Sequence, residues 1–423
     1  MRILARDIPR HEGEAVTLCG WAHRIRKLGG ITFVILRDRS GLVQVVYDTE
    51  PDFSLESVIR IQGRVASNEK APGGYEVQAA ATEVIGAAVA ELPVAINKDL
   101  DSVGLETILD NRIVTLRNPS VRRIFELQAS LLHYFAEYLR GEGFTEIKSS
   151  KIIGSGTEGG TGLFTVDYFG ERVYLAQSPQ FYKQAMVASG LERVFEIGAA
   201  YRAEKHDTPR HLNEYVSLDV EMGFIESESD LMDLETELLG HIFTSVQRDH
   251  ADILDEYGAT VPTGEEFSRT PRISHEEARQ FIKERTGKTA FEINPEGERE
   301  LCEWAREEHG VEAVFVYGFP RKKRPFYTYP EGLKTRSFDL LFRGLEITTG
   351  GQRIHQYATL LETLPKFGLT EEGLGDYCSI FKYGCPPHGG FAIGLERLTQ
   401  KILGLQNVKE ASLFPRDRKR VRP

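Results

Sequence analysis

A change of hydrophobic period near residue 120 constrains this chain more than any other feature. Up to about residue 90, short runs rich in β-branched residues follow one another: VTLCGWAH (16–23), ITFVILRD (31–38), GLVQVVYD (41–48), SVIRIQGRV (57–65) and YEVQAAATEVIG (75–86). Turn signals at Gly29-Gly30, Ser40-Gly41 and Pro72-Gly73-Gly74 separate them. Five strands in that space suit a small Greek-key barrel of the OB type over residues 1–90. Residues 91–120, with prolines towards each end, read as a hinge or linker. From Ser120 onwards Ile124, Leu127, Leu131, Leu132, Phe135 and Leu139 recur at helical spacing until Gly141 to Gly143 end the run. Strands and helices then alternate without the GxGxxG turn of a dinucleotide-binding fold. The acidic, helical stretch at about 226–310 reads as an elaboration on a larger α+β domain that occupies 121–423.

The 423 residues are 41% hydrophobic and 27% charged, with a formal net charge of -11. Aromatic and aliphatic residues run through the whole length, which argues against disorder. No apolar run approaches the roughly 20 residues that span a bilayer. The stretch MRILARDIPRHEGE lacks the apolar core of a secretory signal, so a soluble cytoplasmic protein without membrane contact is expected. Cys19, Cys302, Cys378 and Cys385 are too few and too scattered for a disulfide framework or a thiol zinc site. Acidity excludes a surface coated for non-specific nucleic-acid binding. Locally, however, Trp21 to Gln44 carries Arg24, Arg26, Lys27, Arg37 and Arg39 against the single acid Asp38.

Three stretches of the second domain hold more charge and glycine than packing requires. In 193–224, two β-patterned runs flank a polar loop with Arg202, Glu204, His206, Arg210 and His211, a natural clamp for polyphosphate. In 337–357, Asp339 and Glu346 are read as lying in one otherwise apolar strand, where a carboxylate needs a cation. Oxygen ligands of this kind suit magnesium. Arg353 follows a Thr-Thr-Gly-Gly read as flexible. In 388–404, Gly389, Gly390 and Gly394 leave backbone bare for a flat group, and Glu396 and Arg397 open a helix.

Taken in order, these stretches resemble the three motifs of class II aminoacyl-tRNA synthetases. RIFELQASLLHYFAEYLRGEGFTEIKSSKII (123–153) is similar to motif 1, Arg202-Ala203-Glu204 to motif 2, and GLER (394–397) to motif 3. The barrel matches the anticodon-binding domain of subclass IIb. TEGGTGLF (157–164), AQSPQFYKQ (176–184), RHLNEY (210–215) and FPRDRKRVRP resemble aspartyl-tRNA synthetases of the compact archaeal type, without the insertion domain common in bacterial ones. The implied fold is α+β, an OB-fold barrel followed by a catalytic domain built on an antiparallel sheet flanked by helices. Two positions depart from the pattern: Ser150 stands where motif 1 has proline, and Ala392 where motif 3 has glycine.

The resemblance implies residue roles. Arg202 would hold the ATP α-phosphate and the substrate α-carboxylate, with Glu204 and Arg397 completing the catalytic set. Ala203, Glu204, Arg210, His211 and Leu212 would engage adenine and the outer phosphates, and Arg397 would stack on adenine, with the backbone of Gly394, Leu395 and Glu396 lining that pocket. Glu346 and Thr349 would ligate Mg²⁺. Glu158, Ser178, Gln180, Lys183, Thr349 and Arg353 would surround L-aspartate, with Lys183 and Arg353 opposing its side-chain carboxylate. The family's asparagine enzymes generally lack a lysine at the position of Lys183. On the barrel, Phe33 would stack on an anticodon base beside Arg26 and Gln44. From residues alone Phe33 could also be core, the lesser reading, since it alternates with Ile31 and Ile35. The implied activity is aspartate–tRNA ligation with ATP on tRNA-Asp and also on tRNA-Asn, by a homodimer whose Asp-tRNA-Asn feeds an amidotransferase. Lys70, in the loop Asn68 to Pro72, and the region Trp21 to His23 are the candidates for tRNA choice. The alternatives are an enzyme specific for tRNA-Asp, a synthetase-derived asparagine synthetase, which typically lacks the barrel, and a non-catalytic paralogue.

Overall fold

The computed structural model describes residues 2–156, 162–288 and 292–423. The chain divides into two compact units, Met1–Asn118 and Pro119–Pro423. In the first, β1 (Ala15–Leu28), β2 (Ile31–Asp38), β3 (Gly41–Tyr47), β4 (Val58–Ser67) and β5 (Tyr75–Gly86) close a barrel in the order β1-β2-β3-β5-β4. Alternation fixes its inside, because successive side chains of a strand face opposite ways. Leu18, Val34, Leu36, Val45, Ile59, Ile61 and Val77 fill the interior. Gly20 and Gly63 are required where strands cross tightly, since a Cβ there would lie 2.3 Å from the carbonyl oxygens of Arg37 and Gln78.

In the second unit, eight strands form one sheet: β6 (Thr145–Glu146), β7 (Arg193–Tyr201), β8 (Glu214–Gly223), β9 (Arg272–Ser274), β10 (Ala313–Tyr317), β11 (Ser337–Phe342), β12 (Leu345–Arg353) and β13 (His388–Gly394). Their spatial order is β9-β10-β11-β12-β13-β8-β7-β6. The run from β10 to β7 is antiparallel, and only the edge pairs β9 with β10 and β7 with β6 are parallel. Helices α1 (Pro119–Gly141), α3 (Glu228–Asp249) and α4 (Leu395–Leu403) pack on one face of the sheet and share its main core. A shorter helix, α2 (Gln180–Met186), precedes β7. The start of α3 is set by a capping box in which Ser227 and Asp230 satisfy each other's backbone N–H groups. Among the described residues no helix is long and apolar enough to cross a membrane.

Two sequence expectations are corrected here. Asp339 and Glu346 do not share a strand: they lie on β11 and β12, joined by a turn in which Arg343 (φ 49) and Gly344 (φ 71) adopt left-handed backbone. Thr348-Thr349-Gly350-Gly351 is regular β12, not a flexible link. A Cβ on Gly350 would meet the Phe338 ring at 2.5 Å, so that glycine serves packing between strands.

Candidate functional site

Strand β8 shows how the sheet builds its open face. Val216, Leu218, Val220 and Met222 point to the helical core, leaving Tyr215, Ser217, Asp219 and Glu221 as a polar row on the other side. Tyr215 and Ser217 of that row, with β12 and β13, floor a cleft of about 200 Å³ lined also by Arg202, Glu204, Arg210, His211, Leu212, Glu346, Ile347, Thr349, Ala392, Gly394, Glu396, Arg397 and Val408. The three sequence stretches thus meet in one place. Arg202 leaves the end of β7, with its guanidinium 5.6 Å from the Tyr215 ring centre. The Asn213 side chain donates to the carbonyls of Arg202 (2.7 Å) and Glu204 (3.2 Å), pinning the loop between the strands. The Ala203 N–H donates to the Gly162 carbonyl at 3.1 Å.

Arg397, at the start of α4, donates to the Glu346 carbonyl at 2.8 Å and lies 3.6 Å from its carboxylate. Its other nitrogens reach the Arg210 carbonyl at 3.4 Å, so it ties the loop of β7–β8 to β12. Arg210 itself pairs with Glu298, whose carboxyl burial pushes up despite that partner. His211 accepts or shares a 2.6 Å hydrogen bond with Thr208, and burial, then the nearby Arg397, holds its pKa below the usual value. The Glu396 carboxylate accepts the Val216 N–H at 3.1 Å, and burial raises it to about 7. Leu395 turns its side chain into the core. Of the three glycines read as bare backbone, Gly389 and Gly390 serve the sheet: a Cβ on Gly390 would lie 2.0 Å from the Val220 carbonyl. Gly394 has room around it.

Beside the cleft is a buried charge network. The Lys183 ammonium, from α2, lies 3.1 Å from Asp219 and 3.2 Å from Glu221, and donates to the carbonyls of Val220 (3.2 Å) and Phe391 (3.3 Å). Arg353 donates to Glu221 at 3.0 Å and to the Gly390 carbonyl at 3.0 Å. Burial alone would push the Glu221 carboxyl up, but Arg353 and Lys183 together hold it below the usual carboxylate value. Lys183 and Arg353 are therefore brought together as the sequence suggests, yet they meet through carboxylates the sequence reading did not include. Ser178 and Gln180 are buried at the start of α2; the Gln180 backbone N–H donates to the Ser178 hydroxyl at 3.3 Å, and its side-chain Nε2 finds no hydrogen-bond partner among the described residues. Glu158 lies outside the described residues.

Glu346 and Thr349 line one edge of the cleft, and Asp339 lies just beyond it. The Thr349 hydroxyl donates to Glu346 at 3.2 Å, and Asp339 faces Thr349 across the β11–β12 pairing. Arg324 reaches Asp339 at 2.7 Å, but burial, with Glu346 adding to it, raises that carboxyl to about 6. Two carboxylates crowded with a hydroxyl form an oxygen-only donor set that a hard divalent cation would relieve. Among the described residues no group of three His, Cys, Asp or Glu side chains is spaced to hold a metal by itself.

On the barrel, Phe33 is half-buried and outside the interior cluster; Thr32, Val34 and Leu36 point inward instead. Arg26 is its cross-strand partner, and Gln44 pairs with Ile35 one step along the same outer face. Glu76, absent from the sequence reading, accepts hydrogen bonds from Gln44 (3.0 Å) and Asn68 (2.7 Å), joining Gln44 to the loop that carries the exposed Lys70. Arg37 belongs to no basic surface: it is buried in a bidentate pair with Glu56 (2.9 and 2.8 Å), with His23 alongside.

An OB-type barrel in one chain with an antiparallel sheet of this topology is the architecture of class II aminoacyl-tRNA synthetases. Residues 104–418 match the family of tRNA synthetases class II (D, K and N), and residues 16–85 match the OB-fold nucleic acid binding domain. The chain belongs to that D, K and N family. It is 51% identical to an aspartate–tRNA(Asp/Asn) ligase of Thermus thermophilus, with both chains covered in full. It is 40% identical, over 97% of each chain, to an aspartate–tRNA(Asp) ligase of Pyrococcus horikoshii. The crystal structure of asparaginyl-tRNA synthetase from Pyrococcus horikoshii complexed with asparaginyl-adenylate is similar at a TM-score of 0.93 and 29% identity, over all of both chains.

Proposed function

We propose that this chain is an aspartate–tRNA ligase that charges tRNA-Asp and also tRNA-Asn. The observation that carries the amino acid is Lys183, a buried ammonium placed with Arg353 around Glu221, beside the cleft. A side-chain carboxylate exchanges a backbone carbonyl partner of Lys183 for a charged one, whereas the amide of asparagine offers no such gain. The full-length likeness to relatives that bear the ligase name supports the same reading.

The aspartate α-carboxylate oxygen attacks the ATP α-phosphorus, the bond to the β-phosphate bridging oxygen breaks, and pyrophosphate leaves. Arg202 positions both reacting groups and neutralises charge that develops on the α-phosphate. Arg210 and His211 receive the outer phosphates, and Arg397 stacks on adenine over the Gly394 to Glu396 backbone, which places Glu204 and Leu212 at its edge. Glu346 and Thr349, with Asp339, would hold Mg²⁺, which supplies charge neutralisation to the phosphates when bound. Gln180 and Ser178 orient the amino acid, and Glu158 is assigned to its ammonium group. A hydroxyl of the terminal tRNA ribose then attacks the adenylate carbonyl and AMP departs. Phe33, Arg26 and Gln44 read the anticodon, and the Lys70 loop sets how far its third base is discriminated. We further assign the enzyme to the cytoplasm as a homodimer, working ahead of an amidotransferase that converts Asp-tRNA-Asn.

Aspartate charging on separate tRNA-Asp and tRNA-Asn transcripts, with ATP and Mg²⁺, tests this. Both should be aspartylated. Charging of tRNA-Asp alone would leave the ligase and remove the broader specificity. Charging of neither, with ammonia-dependent asparagine formation instead, would favour the asparagine synthetase reading.

A further inference from the structure

The segment 407–423 carries no role in the chemistry above, yet it is built against the loop that lines the cleft. Asn213 donates its N–H to the Arg416 carbonyl at 2.7 Å, and Val408 donates to the Pro209 carbonyl at 2.9 Å. The Asp207 carboxylate, at the loop's crest, is gripped by Lys409 (2.9 Å) and Lys419 (3.1 Å), and those two cations hold it below the usual carboxylate value. Lys409 also pairs with the buried Asp417 at 2.6 Å. One set of charges therefore fastens the segment to the loop. A second set faces outward: Lys205, Arg418 and Arg422 are exposed and have no ion-pair partner among the described residues, and the Lys419 side chain is 80% exposed. In a chain of net charge -11, five of the eight residues 416–423 are basic. Exposed Glu214, bridged to Arg416 by backbone, offsets one of them.

Packing explains the inner charges and leaves the outer ones without a structural task. Like charges crowded on a surface repel one another unless a polyanion comes to them. We propose that Arg418, Lys419 and Arg422, with Lys205 of the adjoining loop, form a landing surface for the phosphate backbone at the acceptor end of the tRNA. This inference rests on the ligase reading above, because the 3′ end must enter the cleft whose rim Val408 forms. Phosphate contacts position a nucleic acid and carry no sequence information, so the surface serves tRNA-Asp and tRNA-Asn alike.

The test is the double variant Arg418→Gln/Arg422→Gln in the full chain. Aspartate-dependent ATP–pyrophosphate exchange without tRNA reports that it is folded. We expect kcat/KM for both tRNAs to fall about tenfold at low salt by the same factor, and the slope of log(kcat/KM) against log[salt] to flatten by roughly one to two. Phosphate-ethylation interference on wild-type complexes should mark acceptor-stem phosphates, and the variant should lose those marks. Unchanged kcat/KM and slope, or marks lost only outside the acceptor stem, would overturn the proposal. A wild-type protein that charges neither tRNA would instead sink the ligase reading, while lost acceptor-stem marks would still report the surface.

Discussion

At Lys183 a single buried ammonium serves two carboxylates and two backbone carbonyls, so its removal takes the cation from Asp219 and leaves Glu221 to Arg353 alone. Breaking a buried charge pair costs about 3–5 kcal/mol. Lys183→Met should therefore lower kcat/KM for aspartate in the exchange reaction by at least about 100-fold without creating activity on asparagine. The same variant carries a pH signature. Glu221 is held below its usual value in the wild type, so its contribution to stability is present above that usual value and is lost as pH falls through the depressed one. Without Lys183 the folded value rises towards the usual one, so thermal unfolding from pH 3 to 7 should show a smaller acid loss from this group, complete at a higher pH. On the barrel, Phe33→Ala should raise KM for tRNA by about 10- to 100-fold, the worth of one stacked base, and leave tRNA-independent exchange intact. These residues differ in how visible they were. Arg202 and Arg353 could be picked out because they stand in the charged, glycine-rich stretches, and Lys183 because the family resemblance carries it. Asp219 and Glu221 were visible in principle, as the polar half of the alternation in VSLDVEM, but alternation alone does not say that the polar face is buried. Glu298, Arg324 and Glu76 gave no local sign, because their partners Arg210, Asp339 and Gln44 lie far away in sequence.

Helix α3 falls within the acidic stretch read as helical, but that reading did not show what the helix buries. Glu235 sits within it at 0% exposure, one side of the sheet away from Asp339. Burial raises its carboxyl from 4.5 to about 8, the Thr348 hydroxyl easing this and Asp339 adding to it. A raised value means that the stability contribution is full below 4.5 and disappears as pH rises through about 8. At ~1.36 kcal/mol per unit, the group costs about 3 kcal/mol at pH 7 and 4–5 kcal/mol at pH 9. Glu235→Met, close in volume and apolar, should thus raise the melting temperature at pH 7, raise it further at pH 9 and change little at pH 4. A gain independent of pH would mean that packing rather than charge produced it. The strands show the same division between pattern and context. Period two placed all five barrel strands, yet it ran Asp339 and Glu346 into one strand, because the two-residue turn between them is Arg343-Gly344 and only the glycine signals it. It likewise left Phe33 undecided, since Phe33 and Val34 belong to opposite faces and both are apolar; closure of the barrel decides which face is inside.

For the molecule as a whole, chemistry and nucleic-acid reading are carried by different stretches of chain. Every residue lining the cleft, and every member of the Lys183 network, comes from Pro119–Pro423, which has its own core clusters, and the barrel has another. On the proposed function, activation of aspartate needs only the first set of residues, whereas charging needs a tRNA held at two places on one polypeptide. Two attachments on one chain strengthen binding by raising the effective concentration of the second, commonly by 10²–10⁴, and that gain vanishes when the chain is cut. A protein consisting of residues 119–423 should therefore retain aspartate-dependent ATP–pyrophosphate exchange within a few fold of the full chain. Its kcat/KM for charging tRNA-Asp should fall by at least about 100-fold, with KM bearing most of the loss. Adding residues 1–118 as a separate polypeptide should not restore charging, because the link between the sites is what has been removed. If the larger piece, shown folded by cooperative thermal unfolding, had lost exchange as well, the barrel would be contributing to activation, and the division between reading and chemistry would have to be abandoned.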